Sequence, residues 1–193
     1  MAGPSKPRGE RMASDLTELT AKLLALHCNV VQRTLLCEAL EQTGDGLTPT
    51  QYFGLRFVAL HPGACVRDMA KGLQVSHPAA VKLAERLQAR ELITRTQAEA
   101  DQRRVCLRTT QDGQRLWLRV RRHHRLLLAK ILEALGDERA RQFADLLERF
   151  VMAAVRTKEQ ISQVCLYCGV EHNSACAVGH LEEVLTGEPR SEF

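Results

Sequence analysis

The feature that most constrains the fold is a change in the spacing of apolar residues near the middle of the chain. A short helical pattern at 66–72 leads through a turn to Ser76, a good N-cap, and to a second helix that ends near Arg90. Residues 92–96 and 104–109 then alternate polar and apolar side chains, as β-strands do. Two helices joined by a tight turn and followed by a hairpin predict a helix-turn-helix with a β-wing.

Helical spacing dominates the rest of the chain, so the predicted fold class is mainly α. Residues 1–13 carry glycine, proline and charge and are expected to form a disordered tail. A long amphipathic helix from Ser14 to about Glu41 follows, which can be core or dimer interface. Further helices are predicted from Thr48-Pro49 to Pro62-Gly63, from Gln111 to Leu135 and from Glu138 to Gln160. This organisation assigns one domain to 14–160 and a separate Cys/His-rich tail to 161–193.

Positive charge is concentrated around the predicted helix-turn-helix and wing. From Ser76 to Arg125 there are twelve Lys/Arg against five Asp/Glu, although the whole chain carries a net charge of only +4. Such a concentration attracts a phosphate backbone, whereas a merely solvated surface explains the cluster less well. No apolar stretch of about 20 residues predicts a membrane span, and the N-terminal residues lack a secretion signal. A reducing, cytoplasmic location is therefore expected.

The helix that begins at Ser76 is the candidate reading element, because a helix fits the major groove of DNA. Its inward stripe is predicted to contain Val81, Ala84 and Leu87. In the hairpin, Arg103 is placed to contact the minor groove or its phosphates, and Asp101 to orient Arg103 by a charge-assisted hydrogen bond. The predicted DNA-binding residues are Ser76, His77, Ala79, Ala80, Lys82, Arg86, Asp101, Arg103 and Arg104.

Six short stretches resemble, in their order and spacing, the multiple-antibiotic-resistance regulator (MarR) family. They are Leu47-Thr48 with Gln51, Leu73-Gln74-Val75-Ser76, Arg86-Leu87, Leu92-Ile93-Thr94-Arg95, Asp101-Gln102-Arg103-Arg104 and Thr110-Gln111-Asp112-Gly113. The resemblance implies a winged helix-turn-helix flanked by long N- and C-terminal dimerisation helices. It also implies a homodimer that represses or activates transcription under the control of a small-molecule effector.

The chain departs from the family pattern at three positions. The family usually has glycine before the first strand, where this chain has Glu91; a left-handed conformation there would be strained for glutamate. The family also favours hydroxyl residues at the positions of Ala79 and Val81. Their absence removes hydrogen bonds to phosphates or bases, so the preferred DNA site cannot be carried over from relatives.

The tail carries Cys165-Leu166-Tyr167-Cys168-Gly169, then Cys176 and His180. A tight turn at Cys-x-x-Cys-Gly would point two thiolates at one ion, and Cys176 and His180 would complete a Cys₃His set suited to zinc. His172 is a spare ligand. An iron–sulfur cluster is the second choice, a thiol switch of Cys165 and Cys168 the third, and unliganded thiols the fourth. The remaining cysteines, Cys28, Cys37, Cys65 and Cys106, are interpreted as buried core thiols.

These observations favour a non-enzymatic, sequence-specific DNA-binding regulator, most simply a repressor. A two-fold symmetric dimer predicts a palindromic operator in double-stranded DNA. The alternatives are a thiol oxidoreductase that uses the Cys-x-x-Cys pair and an adaptor whose winged helix binds another protein. No βαβ pattern or glycine-rich phosphate loop supports an enzyme, and the basic wing argues against an adaptor.

Overall fold

A computed structural model describes residues 8–98, 101–168, 176 and 178 of the chain. The first helix, α1, is followed without a break by a π-helical turn at Val30–Leu35. The elements are α1 (Arg8–Asn29), α2 (Leu36–Thr43), α3 (Pro49–Leu60), α4 (Val66–Gly72), α5 (His77–Ala89), β1 (Ile93–Ala98), β2 (Asp101–Thr109), α6 (Gln111–Leu135), α7 (Asp137–Ala154) and α8 (Lys158–Cys168). The predicted mainly α fold with a small wing is confirmed.

The long N-terminal helix runs from Arg8 to Thr43 through the π-helical turn and ends at Gly44, whose φ of 68° is left-handed. The predicted start at Ser14 is therefore six residues too late, and the predicted 1–13 tail is helical from Arg8 onward. Its two halves differ in burial. Leu35, Leu36, Ala39 and Leu40 are buried, whereas Leu16, Leu19, Leu23, Leu26 and Val30 are exposed.

The main core lies where helices α2 to α6 meet the base of the hairpin. Its most completely buried large side chains include Leu55, Met69, Leu87, Ile93 and Leu107. α3 begins with a capping box, in which Thr48 N donates to Gln51 Oε1 (3.0 Å) and Gln51 N donates to Thr48 Oγ1 (3.2 Å). The apolar spacing seen in the sequence thus places α5 and the wing on a rigid base.

The wing is an antiparallel hairpin that pairs Ile93 with Thr109 at one end and Gln97 with Val105 toward the tip, where the register shifts. The other edge of β2 is bonded to the segment before α4. Gly63 N donates to Leu107 O (3.0 Å) and Leu107 N donates to Ala64 O (2.8 Å). These bonds connect the wing directly to the start of the helix-turn-helix.

The C-terminal region differs from the single helix predicted at 138–160. α7 ends at Ala154 because Val155 is extended (φ −105°, ψ 114°), and α8 follows after a short turn. Val155, Ile161 and Val178 form a second, small apolar cluster, while Leu166 of α8 packs against the main core. Among the described helices, none is long and apolar enough to cross a membrane.

Candidate nucleic-acid interface

The turn between α4 and α5 sets the position of the candidate reading helix. Gln74 has a φ of 54°, and the backbone N–H of Val75 donates to Ala70 O (3.0 Å), which closes the end of α4. Ser76 then adopts an extended conformation, and its Oγ accepts from Ala79 N at 3.4 Å. The predicted N-cap is confirmed, and it fixes the direction in which α5 leaves the turn.

One face of α5 is buried and the other is exposed, but the division differs from the predicted one. Ala80, Leu83, Ala84 and Leu87 are buried. The placement of Ala80 on the outward face, where it would touch a thymine methyl, is wrong, because its side chain is fully covered by the core. Val81, expected inside, is only half-buried. Alanine and valine fit either side of a helix, so the sequence did not show which of these two neighbours faces the core.

The exposed face of α5 is otherwise as predicted. Ser76, His77, Ala79, Lys82 and Arg86 are all accessible. The exposed carboxylate of Glu85 shares this surface. The face therefore presents two cations and an imidazole against one anion, an arrangement that can contact phosphates and base edges.

Two basic residues that the sequence reasoning missed lie beside this face. Arg67 and Lys71 are exposed on α4, four residues apart and hence on one side of the helix. They line one shallow concave surface together with Gln74, Val75 and His77. The sequence shows the i, i+4 spacing of Arg67 and Lys71. Only the structure shows that α4 lies against the N-terminus of α5, which brings both side chains beside the exposed face of α5.

Two arginines fix α5 relative to its neighbours and are not part of the exposed face. Arg90 Nη2 donates to Asp45 O (2.6 Å) and Arg90 Nη1 donates to Gly46 O (3.3 Å), which ties the end of α5 to the loop before α3. On β1, Arg95 Nη2 donates to Val81 O (3.5 Å). The wing and α5 are thereby held in one orientation.

The structure places the predicted wing residues at the start of β2. The backbone of Asp101, Arg103 and Arg104 forms the strand that returns from the tip. Their side chains lie outside what the structure describes, so the proposed hydrogen bond between Asp101 and Arg103 remains a prediction. Farther along β2, Arg108 is exposed and adds another cation to the wing.

The cysteine tail is only partly described. Cys165 and Cys168 lie on α8, so the predicted tight turn at this pair is wrong; the segment is helical. Cys165 and Cys176 are half-buried and pack against the same small cluster of Val155, Ile161 and Val178. The Cys168 side chain, His172 and His180 lie outside the described residues. Within the described part, no three His, Cys, Asp or Glu side chains are grouped to hold a metal.

The other four cysteines are more accessible than predicted. Cys28 is exposed, and Cys37, Cys65 and Cys106 are half-buried. Their interpretation as buried core thiols is wrong, because none of the four is among the buried residues of the core.

Comparison with known proteins supports the interpretation of this geometry. The sequence pattern described as "MarR family" matches residues 45–104. The HTH-type transcriptional repressor MdtR of Bacillus subtilis (strain 168) is 27% identical over 145 residues, which cover 75% of this chain and 91% of the repressor. A putative transcriptional regulatory protein for the hcr operon of Thauera aromatica is 32% identical over 114 residues, covering 56% of this chain and 69% of that protein.

Solved structures show the same fold. A MarR family protein from Bacillus stearothermophilus superimposes with a TM-score of 0.61 at 21% identity. The match covers 76% of this chain and 98% of that one. With that coverage, the match shows that the fold of this chain recurs in a solved structure.

Glu91 generates a stability prediction. Its φ of 56° is left-handed, as expected from its place between α5 and β1, and only glycine adopts that conformation without a steric cost. We expect Glu91→Gly to raise the free energy of unfolding by about 1 kcal/mol in urea titrations. Glu85→Gly, on the exposed face of α5, should instead lower it by about 1 kcal/mol. A lower stability for Glu91→Gly would contradict the assignment of strain.

Proposed function

The chain belongs to the MarR family of transcription regulators, and we propose that it acts as a homodimeric repressor of transcription in the cytoplasm. The observation that supports DNA as its partner is the exposed basic face of α5, flanked by Arg67 and Lys71 on one side and by the wing on the other. A regulator is favoured over the oxidoreductase and the adaptor, since both curated relatives carry regulator names.

The geometry supports two kinds of DNA contact, one with base edges and one with the phosphate backbone. α5 would enter the major groove with its N-terminal end first, so that His77, Lys82 and Arg86 reach base edges or phosphates. Arg67 and Lys71 would neutralise phosphates at the groove edge, which positions the protein without reading sequence. Arg103 and Arg104 would hold the backbone or minor groove beside it.

Dimerisation is supported by apolar faces at both ends of the chain. Within the described residues, α7 contains no buried side chain, and Phe143, Leu146 and Phe150 are exposed on it. The His27 and Phe143 rings lie 6.3 Å apart, which places α7 beside the exposed leucines of α1. Exposed apolar surface on this scale is typical of a protein interface. A second copy covering it would present two α5 helices to a palindromic operator.

A small-molecule effector would act on the orientation of α5. A groove beside the π-helical turn is lined in part by Gln32, Phe53, Arg56 and Gln74. The Arg56 guanidinium lies 5.0 Å from the centre of the Phe53 ring, so the groove offers both a cationic and an aromatic surface. A small-molecule effector bound there would contact the turn before α5 and shift its orientation. This would change the spacing of the paired reading helices.

The DNA-binding assignment is tested by the double variant Arg103→Ala with Arg104→Ala. We expect its affinity for double-stranded DNA to fall by about 10- to 100-fold, and the slope of log K against log salt to lose about two units, since two phosphate contacts are removed. The probe is a duplex that the wild-type protein selects from a random-sequence pool, measured by fluorescence anisotropy. The matched control is Arg141→Ala with Arg149→Ala, both exposed on α7 and off the stripe of Phe143, Leu146 and Phe150; it removes the same charge and should leave the slope unchanged. Full binding by the wing variant would reject the role of the wing.

The dimer is tested by Leu146→Asp combined with Phe150→Asp, one turn apart on α7. Burying two carboxylates at an apolar interface is costly, so the variant should sediment as a monomer in analytical ultracentrifugation and bind palindromic DNA more weakly. Val105→Asp, an exposed apolar residue of the wing, is the control and should remain dimeric. A Leu146/Phe150 variant that stays dimeric would exclude α7 from the interface.

We also propose that Cys165, Cys168, Cys176 and His180 bind zinc. The supporting observation is that Cys165 and Cys176, separated by ten residues, contact the same apolar cluster. A Cys₃His set suits tetrahedral zinc, and the ion would add stability to a segment whose own apolar cluster is small.

Elemental analysis of the freshly purified protein should find about one zinc per chain. Cys165→Ser with Cys176→Ser should remove it, whereas Cys28→Ser should retain it. A brown protein with iron and sulfide would indicate an iron–sulfur cluster instead of zinc. A protein free of both metals would reject the site.

A further inference from the structure

Two cysteines far apart in the sequence lie directly opposite each other where the wing meets the helix-turn-helix. The backbone at Cys65, the residue before α4, forms an isolated antiparallel β-bridge with the backbone at Cys106 of β2. Leu107 N donates to Ala64 O at 2.8 Å, on one side of the bridge. The N–H of Cys65 donates elsewhere, to Asp68 Oδ2 at 2.9 Å. This pattern makes the two cysteines a pair that is not hydrogen-bonded to each other.

Such a pair has the geometry that a disulfide needs. The Cα atoms of a non-hydrogen-bonded antiparallel pair are about 4.5 Å apart, and both side chains project from the same face of the sheet. Disulfides span Cα separations of about 4.4–6.8 Å. Both residues carry free thiols in this structure and both are only half-buried, so a small oxidant in solution can reach the pair.

We propose that Cys65 and Cys106 are a modification site at which hydrogen peroxide forms an intrachain disulfide. One thiolate attacks a peroxide oxygen, the O–O bond breaks, and water leaves as the sulfur becomes a sulfenic acid. The second thiolate attacks that sulfur, the S–O bond breaks, and a second water leaves. The two thiols lose two electrons and two protons in total, and one hydrogen peroxide is reduced to two waters.

The disulfide would act on the DNA-contacting unit as a whole. It closes a loop that contains α4, α5 and β1. It also requires the two Cβ atoms to approach to about 3.8 Å, closer than the about 4.5–5.5 Å of an open pair. β2 is therefore drawn toward α4, and the wing shifts relative to α5. This regulatory consequence rests on the proposed DNA-binding function, whereas formation of the disulfide does not.

Peptide mapping tests the disulfide without reference to DNA. The full-length protein is treated with a few equivalents of hydrogen peroxide, alkylated and digested with trypsin. We expect a disulfide-linked pair of the peptides 57–67 and 105–108, absent after treatment with dithiothreitol. In Cys106→Ser, or in Cys65→Ser should the first variant fold poorly, the linked pair should disappear. In Cys37→Ser, another half-buried cysteine, it should persist. Alkylation of Cys65 and Cys106 to the same extent before and after peroxide would overturn the proposal.

DNA binding then tests the consequence. Oxidation should weaken binding of the wild-type protein and of Cys37→Ser to the selected duplex by at least about 5-fold, reversibly with dithiothreitol. Cys106→Ser should bind equally before and after peroxide. Unchanged wild-type affinity despite a mapped disulfide would overturn the regulatory role. Failure of the reduced protein to bind DNA would reject the proposed function and leave the mapping result intact.

Discussion

The burial of one face of α5 is the interaction on which the rest of the structure depends. Ala80, Leu83, Ala84 and Leu87 pack into the core, and each large side chain buried in this way stabilises the fold by about 1.5–3 kcal/mol. The close approach requires Gly54 on α3, since a Cβ there would lie 2.9 Å from Leu83 Cδ2. With its inner face fixed, α5 can only present its other side to solvent. The polar and basic residues of α5 are exposed because the apolar residues hold the opposite face of the helix in the core.

The wing and α4 extend this constraint to a continuous surface. β2 is bonded to β1 on one edge and to residues 63–64 on the other, and Arg95 connects β1 to the backbone of α5. A helix and a hairpin that are joined in this way have a defined relative position as long as these bonds are unchanged. For a protein that neutralises phosphates along a duplex, such rigidity matters because the cations must match a fixed spacing of charges. The same connection places Cys65 opposite Cys106, so the chemistry proposed for this pair follows from how the wing is attached.

The terminal helices α1 and α7 differ from the central helices in how much of their apolar face is buried. α1 and α7 have regular apolar spacing, yet their leucines and phenylalanines remain exposed. A helix with an apolar stripe gains most of its stability when that stripe is covered, and the proposed second copy of the chain would cover the stripes of α1 and α7. α8 behaves otherwise, because Leu166 returns to the main core near Gly72 of α4. The C-terminal helix α8 is thus connected to the helix-turn-helix.

Local patterns in the sequence were sufficient for the order of the elements up to α6 and for the N-cap at Ser76, whereas the left-handed position at Glu91 followed from the resemblance to the MarR family. Caps, turns and apolar periodicity involve residues a few positions apart, so the sequence displays them directly. The tertiary structure decided what depends on contacts with distant residues: that Ala80 is covered, that α7 ends at Val155, and that Cys65 lies opposite Cys106. Alanine and valine fit either side of a helix, and only the packing of α3 and α4 against α5 selects the side. Forty residues separate the two cysteines, and no local pattern specifies a pairing across that distance.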